Sequence, residues 1–538
     1  MAEPTSAPTV EIHRLMGEAS QAFGRGELQR AAELTAQVLK VAPDNPDALH
    51  LMGLCLLQAG DARRAAALIR EAALRKPQDA QLLHNFGVAC AEAGDPTGAL
   101  SAFTRAAMLD PRHAESRFNI GVLSEAIGDS AGAEQAYRDT LRLDPQHAAA
   151  MAYLAAILEQ RSVIQEASEW NRAALKLTPE EPVANLTAAQ LDIRAGSLEP
   201  AASRLQTLLA RGRLTSRNRS LAAGRLGAAY DRLERPAEAW PQFLAAKVAL
   251  RETLGAAQDQ GVYGFAAATR MARNLDTAFK GVPAATGPAP VFLVGFPRSG
   301  TTLLDQMLSG HTGVTVLEEQ DTLQDVLHAH VLGDAELEAF MHLDAAGLEP
   351  WRQAYWQRVA EYLPGRRTDA LFIDKLPLNS VFLPLMQRLF PTAKFLFALR
   401  DPRDVVLSCF MQSFDLNEAM RHFLSLEETA HYYAAVMGVG AAAAERLGAR
   451  LHRVRYEDVV ADTEGEARRL LEFLGLDWEP AVLDFQKTAR KKRINTPSYS
   501  QVAEPIYTRA KERWRRYESQ LTPVLPVLEP FVKRFDYI

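Results

Sequence analysis

Small and apolar residues in the left half of the chain recur with a long fixed period, superimposed on the shorter period of single helices. Pro43, Pro77, Pro111, Pro145 and Pro179 stand 34 residues apart, as do Ala31, Ala65, Ala99, Ala133, Ala167 and Ala201. Gly53, Gly87 and Gly121 share the spacing, continued by Ala155 and Ala189, and Gly26, Gly60, Gly94 and Gly128 form a further series. Each unit reads as two helices. Small residues stand where the helices cross, a Gly-Asp turn lies between them, and a proline comes after the second. Six such units run from about Glu11 to Arg213. The insertion TSRN then shifts the phase, and a seventh unit carries Gly227, Tyr230, Ala239, Phe243 and Ala246 at the same internal offsets. Helices continuing to about Phe279 are expected to cover the last apolar face of the array.

Beyond the Gly-, Pro- and Ala-rich stretch GVPAATGPAPV (281–291) the pattern changes. Short apolar runs, VFLVGF (291–296), VTVL (314–317), ALFIDK (370–375), KFLFALR (394–400) and RLHRVRY (450–456), alternate with helical stretches. That alternation predicts parallel strands joined by crossover helices. The expected fold class is therefore α followed by α/β: an all-α repeat solenoid, then a P-loop-type domain with a parallel central sheet. The predicted boundaries are 11–253 for the array, 254–288 for capping helices and linker, and 289–538 for the α/β domain. A 34-residue helix-turn-helix period is the tetratricopeptide signature, and such arrays bind peptides or proteins along a concave face.

Composition narrows the choices further. The chain holds 66 acidic and 60 basic residues, a net charge of -6, which argues against a general nucleic-acid binder. No apolar run approaches the roughly 18 residues of a membrane span. The start, MAEPTSAPTVEIHR, has no basic region leading into an apolar one. Cys55, Cys90 and Cys409 are too few and too scattered for a disulfide framework or a zinc site, so a reducing, cytoplasmic setting is expected.

The candidate chemistry starts at GFPRSGTT, Gly295 to Thr302. The glycine spacing matches a phosphate loop, yet Thr301 and Thr302 stand where a nucleotide triphosphatase keeps Lys-Ser/Thr. Backbone N–H groups and the start of the next helix can still face an anion. The two hydroxyls and the Arg298 guanidinium add donors. The lysine that bridges β- and γ-phosphates is missing, which speaks against an ATP-using kinase. A donor without a γ-phosphate, transferred without metal, fits better.

These residues resemble a known family. FPRSGTT is similar to the 5′-phosphosulfate loop of sulfotransferases that use 3′-phosphoadenosine 5′-phosphosulfate (PAPS). FALRDPRDVVLSCF (397–410) resembles their 3′-phosphate element, with Arg400 and Ser408 in the two binding positions. The resemblance implies that Arg298, Ser299, Gly300, Thr301 and Thr302 hold the donor from one side and Arg400 and Ser408 from the other. Glu318 and Glu319 come 20 and 21 residues after Arg298, as in the tyrosylprotein branch, which implies that Glu319 is the general base. Glu318 would orient the site or bind substrate. His311, in GHTG, is a rival base. Lys375 ends the FIDK strand, and the resemblance implies that it and Arg298 stabilise the leaving oxygen. The bland alternative is a surface lysine paired with Asp374.

Tyr456 matches a family tyrosine near the nucleotide, and Ser498 a residue on its phosphates. Arg513, just before Trp514, stands where tyrosylprotein enzymes have a lysine. The basic run KTARKKRIN (487–495) is either solvated surface or an attractor for the anionic donor or an acidic acceptor peptide. The resemblance thus implies a PAPS-dependent sulfotransferase needing no metal, with a protein or peptide (tyrosine) acceptor recruited by the array. An alternative is a carbohydrate, lipid or small phenolic acceptor, with the array a partner-binding scaffold. The layout resembles the repeat–sulfotransferase fusions found in bacteria.

Overall fold

Helices in the left half form because each repeat closes a small turn and caps its own second helix. Gly60, Gly94 and Gly128 take φ of 85°, 81° and 84°, a left-handed conformation that costs glycine little. The next residue, Asp61, Asp95 or Asp129, then accepts the N–H of Arg64, Gly98 or Gly132 and so caps the second helix. The crossing positions explain the other glycine series. A Cβ on Gly53 would stand 2.4 Å from Ile69, one on Gly87 2.6 Å from Phe103, and one on Gly121 2.5 Å from Tyr137. Each small residue is the socket for a large one sixteen positions later. Ala65, Ala99, Ala133 and Ala167 are fully buried at the same crossings.

The computed structural model describes residues 7–211, 214–254, 261–285, 287–414, 416–484 and 511–537. It divides into two packing units: residues 1–159 with 163–187, and residues 160–162 with 188–538. The first is a tetratricopeptide helix stack, from Ala7–Gly24 and Leu28–Val41 onward. Among the described residues, no helix is long and apolar enough to cross a membrane.

The second unit contains the last repeat pair, here α1 (Ser216–Arg232) and α2 (Pro236–Arg251), together with the α/β layers. Gly227 in α1 repeats the socket geometry, its absent Cβ 2.8 Å from Phe243 of α2. Five parallel strands come next: β1 (Val291–Val294), β2 (Val314–Glu318), β3 (Leu371–Lys375), β4 (Lys394–Leu399) and β5 (Leu451–Arg455). Their order is β2-β3-β1-β4-β5, with β1 central. All four residues of β1 are buried, as expected for a strand covered on both faces. On one face Val291 and Leu293 join Leu304, Met307, Ile373 and Leu396 in the main core. On the other, Phe292 stacks on Phe395 at 5.5 Å and meets Tyr355 edge-on at 6.1 Å.

Register brings the functional ends together. Lys375 is the partner of both Leu293 and Glu318, so β1, β2 and β3 terminate at one level of the sheet. Chain reversals after these strands therefore gather at one edge, the place where open α/β sheets hold ligands. Helix α3 (Thr301–Leu308) leaves that edge after β1, and α4 (Pro402–Met411) leaves it after β4. The last repeat packs on α4 and on the residue just past its end: Trp240 lies 5.1 Å from Phe410, and Lys247 Nζ donates to the Gln412 carbonyl at 2.7 Å.

Candidate active site

The reversal after β1 is held from three sides. Gly295 N–H donates to the Pro377 carbonyl at 3.0 Å, and Ser380 Oγ donates to the Gly295 carbonyl at 2.6 Å. A Cβ on Gly295 would stand 2.6 Å from the Ala398 carbonyl oxygen, so only glycine fits between β1 and β4. Cys409 Sγ, fully buried in α4, donates to the Pro297 carbonyl at 3.3 Å. Burial pushes that thiol up to about 12, which makes it a packing residue and no nucleophile. Two positive φ angles, 71° at Arg298 and 93° at Gly300, then turn the chain into α3. For Arg298 this costs on the order of 1 kcal/mol, a strain found where a loop is built to a purpose. Thr301 and Thr302 open the helix and are buried, with Ser299 buried just before them.

Arg298, Arg400 and Ser408 meet directly. Arg298 Nε donates to Ser408 Oγ at 3.1 Å, and Arg400 Nη1 donates to the Arg298 carbonyl at 3.1 Å. The Arg400 guanidinium lies 5.0 Å from the ring centre of Tyr456, and a Cβ on Gly300 would stand 2.9 Å from the same ring. Residues separated by up to 158 positions in the chain thus form one cationic cluster around the loop. Behind it sits Asp404, 3.9 Å from Arg400 and accepting the Trp514 N–H at 2.8 Å. Burial pushes its carboxyl up to about 6, although Arg400 pulls the other way.

The second cluster lies at the ends of β2 and β3. Lys375 Nζ donates to Glu319 Oε1 at 2.9 Å and Glu318 Oε1 at 3.1 Å, with Asp305 of α3 at 4.0 Å. Lys375 is wholly buried and Glu318 nearly so, whereas the Glu319 side chain keeps 32% of its surface open. Burial alone would lower the lysine; the carboxylates of Glu319, Glu318 and Asp305 outweigh it and hold the ammonium above its ordinary value. Glu319 adopts φ of 48°, fixed by its N–H donating to the Lys375 carbonyl at 2.7 Å. The only open carboxylate of the three therefore stands beside a charged lysine at the sheet edge.

The alternative of a surface Lys375 paired with Asp374 does not hold. Strand alternation sends the Asp374 side chain to the opposite face, where it accepts from Thr322 Oγ1 at 2.6 Å and Tyr355 OH at 2.8 Å. His311 is engaged in structure: Nδ1 accepts the Gly313 N–H at 2.9 Å and Nε2 reaches the Asp477 carbonyl at 2.9 Å. It lies past the end of α3, far from Thr301. Arg513 lies against Asp231 of α1, its Nη2 2.8 Å from Oδ2. Ser498 and the basic run lie outside the described residues.

With this geometry in place, comparison with known proteins shows what each half of the chain is similar to. Residues 290–480 match the sulfotransferase family model; residues 22–85, 84–145 and 125–182 match tetratricopeptide repeat models. The domain after the repeats is a sulfotransferase-family domain. A protein of Aquifex aeolicus is 30% identical over 256 residues, 46% of this chain and 33% of that protein. Protein-tyrosine sulfotransferase A of Caenorhabditis elegans is 27% identical over 46% of this chain and 67% of its own length. The protein-tyrosine sulfotransferase of Drosophila melanogaster is 29% identical, over 46% and 53%. The match thus spans a third of the bacterial relative and between half and two thirds of the animal ones.

Several residues that shape the sulfotransferase domain's site carry no recognisable signal in the sequence. Asp305, Ser380 and Cys409 act on the loop or on Lys375 across the tertiary fold, and Asp404 is legible only as the residue four after Arg400. Asp374 is fully buried, and its Oδ1 has no hydrogen-bond partner among the described residues. Burial pushes its carboxyl up to about 6 from 3.8, while the bonds from Thr322 and Tyr355 pull back. A raised carboxyl stabilises the fold fully below its unfolded value, and that contribution is lost as pH rises through about 6. Urea melts at pH 4 and pH 6.5 should show Asp374→Asn abolishing a pH-dependent difference of at most about 3 kcal/mol. Identical slopes in both proteins would contradict the assigned burial.

Proposed function

We propose that the chain is a PAPS-dependent sulfotransferase that moves a sulfuryl group to a hydroxyl of a protein or peptide, with tyrosine as the acceptor residue. The observation that carries this reading is the placing of the Arg298–Ser408–Arg400 cluster and the Glu319–Lys375 pair at the strand ends along one edge of the sheet. The residues present fit the donor. Arg400 and Ser408 would hold its 3′-phosphate. The N–H groups of Gly300, Thr301 and Thr302, with Ser299 and Arg298, would hold the 5′-phosphosulfate. Tyr456, beside Gly300 and under Arg400, would wall the nucleotide.

Glu319 would accept the proton of the acceptor hydroxyl as its oxygen attacks sulfur in line. The new O–S bond forms while the bond from sulfur to the bridging oxygen breaks, and adenosine 3′,5′-bisphosphate leaves with the electron pair. Lys375 and Arg298 would stabilise the charge growing on that oxygen. Glu319 is suited to the proton transfer because it is the exposed member of its cluster, open to an incoming hydroxyl while anchored by the buried lysine. Recruitment of the acceptor by the concave face of the repeats accords with the general behaviour of tetratricopeptide arrays, which grip extended peptides along that face. The names of the animal relatives favour a protein tyrosine.

The test is direct. Calorimetry with adenosine 3′,5′-bisphosphate should show binding to the wild type, weakened about tenfold to a hundredfold by Arg400→Ala, the cost of one or two charge-assisted hydrogen bonds. Mass spectrometry of a peptide panel incubated with PAPS should locate sulfate on tyrosine. Tighter binding of ATP than of the bisphosphate would overturn the donor assignment. Sulfate found only on a glycan or small metabolite would overturn the acceptor assignment.

A further inference from the structure

Asp231 belongs to the last repeat helix, α1, and is 6% exposed. An acidic side chain so placed needs partners, and its carboxylate finds them in the chain's C-terminal segment. Arg513 Nη2 lies 2.8 Å from Oδ2, Tyr517 OH donates to Oδ1 at 2.8 Å, and Arg516 Nη2 lies 3.4 Å from Oδ1. Arg516 Nη1 also donates to the Asp231 backbone carbonyl at 2.9 Å. Trp240 of α2 packs on Tyr517 with ring centres 6.0 Å apart.

The same short segment is held from its other side by the first turn of α4, just past Arg400. The Trp514 N–H donates to Asp404, whose carboxylate stands behind Arg400, and Arg403 lies 4.0 Å over the Trp514 ring. The turn Arg513–Tyr517 is therefore bracketed between a repeat helix and the start of α4. Two arginines on one carboxylate leave the group with a net positive charge. The buried Arg513 Nε has no hydrogen-bond partner among the described residues, so one N–H of the guanidinium remains to be satisfied.

We propose that Asp231 is a positioning residue of the donor site: it fixes the Arg513 guanidinium through one Nη edge so that its remaining donors serve a phosphate of the nucleotide. The last repeat is then a working part of the sulfotransferase domain as well as the end of the binding array. This rests on the PAPS reading above. It extends that reading by naming a repeat residue on which donor affinity depends. Arg513 would bind the phosphate; Asp231 would act only through it.

Calorimetry with adenosine 3′,5′-bisphosphate on the full-length chain tests this. Asp231→Asn should weaken binding by about tenfold, the scale of one charge-assisted bond. Arg513→Ala should weaken it at least as much, and the double variant should be no worse than Arg513→Ala alone. Independent, additive losses would overturn the proposal, because a merely structural Asp231 would not depend on the presence of Arg513. Unchanged binding in Asp231→Asn would overturn it as well. Tighter binding would overturn it too, showing instead that Asp231 competes with the phosphate. If Asp231→Asn does not fold, Asp231→Glu and Arg513→Lys carry the comparison: both keep the charge and change its placement, and wild-type affinity in both would end the idea. A wild type that does not bind the bisphosphate refutes the donor reading itself, whereas wild-type binding with an indifferent Asp231 refutes only this extension.

Discussion

If the proposed function holds, Glu319→Gln is expected to cut sulfuryl transfer sharply while leaving the nucleotide bound. Gln keeps the shape and can still accept a hydrogen bond from Lys375 Nζ, 2.9 Å from the native carboxylate oxygen, so the fold loses little. What would disappear is the proposed base. A positioned proton acceptor contributes roughly a hundredfold to ten-thousandfold to such a step, and kcat should fall by that factor. Affinity for adenosine 3′,5′-bisphosphate should stay within about twofold, because the cluster of Arg298, Arg400 and Ser408 is untouched. Single-turnover measurements with the donor bound separate the two quantities. A loss of binding as large as the loss of rate would mean that Glu319 holds the nucleotide rather than the proton.

Lys375→Met should be the most damaging change in the domain. The lysine is wholly buried and answers to Glu319, Glu318 and Asp305 together. Its removal strips Glu318 and Asp305 of this counter-ion inside the protein, and breaking such a buried group costs about 3–5 kcal/mol. On the proposed mechanism the protein should also lose roughly a hundredfold to a thousandfold in kcat, since the cation assigned to the leaving oxygen would be gone. Urea unfolding measures the first effect and donor turnover the second. Restoring stability with Glu318→Gln in the same background, while activity stays lost, would separate structural charge balance from catalysis. A Lys375→Met protein with native stability would contradict the buried pairing itself.

Much of this was legible from local pattern. All five strands fall on the runs at 291–296, 314–317, 370–375, 394–400 and 450–456. The signal is cleanest at central β1, apolar and buried throughout, and weakest at the edge strand β5, which carries His452, Arg453 and Arg455 and is only partly buried. The repeat period survived into packing, since Gly53, Gly87 and Gly121 each meet a specific large side chain sixteen positions on. Arg298, Gly300, Arg400, Ser408 and Tyr456 could be read from short motifs, and folding brings them into contact. What could not be read are the partners supplied by topology. Nothing near Asp305 in sequence signals Lys375, seventy positions away. Nor does Asp231 announce that two arginines and a tyrosine nearly three hundred residues later will close on it. The alternative pairing of Lys375 with Asp374 fails for a simpler reason: neighbours in a strand point to opposite faces.

The sockets at Gly53, Gly87 and Gly121 have a consequence for how such a chain can change over generations. Because each joint is filled by a side chain sixteen positions along and repeats every 34, a whole unit could be duplicated or lost upstream without spoiling any joint. Any other change of length would push bulky side chains out of their sockets. The unit holding Asp231, Trp240 and Lys247 is exempt from that freedom, since its outer surface is already committed to α4 and the C-terminal turn. Related chains should therefore differ in the number of early repeats and agree in the last one, so that the length of the array varies while its junction with the α/β domain is inherited intact.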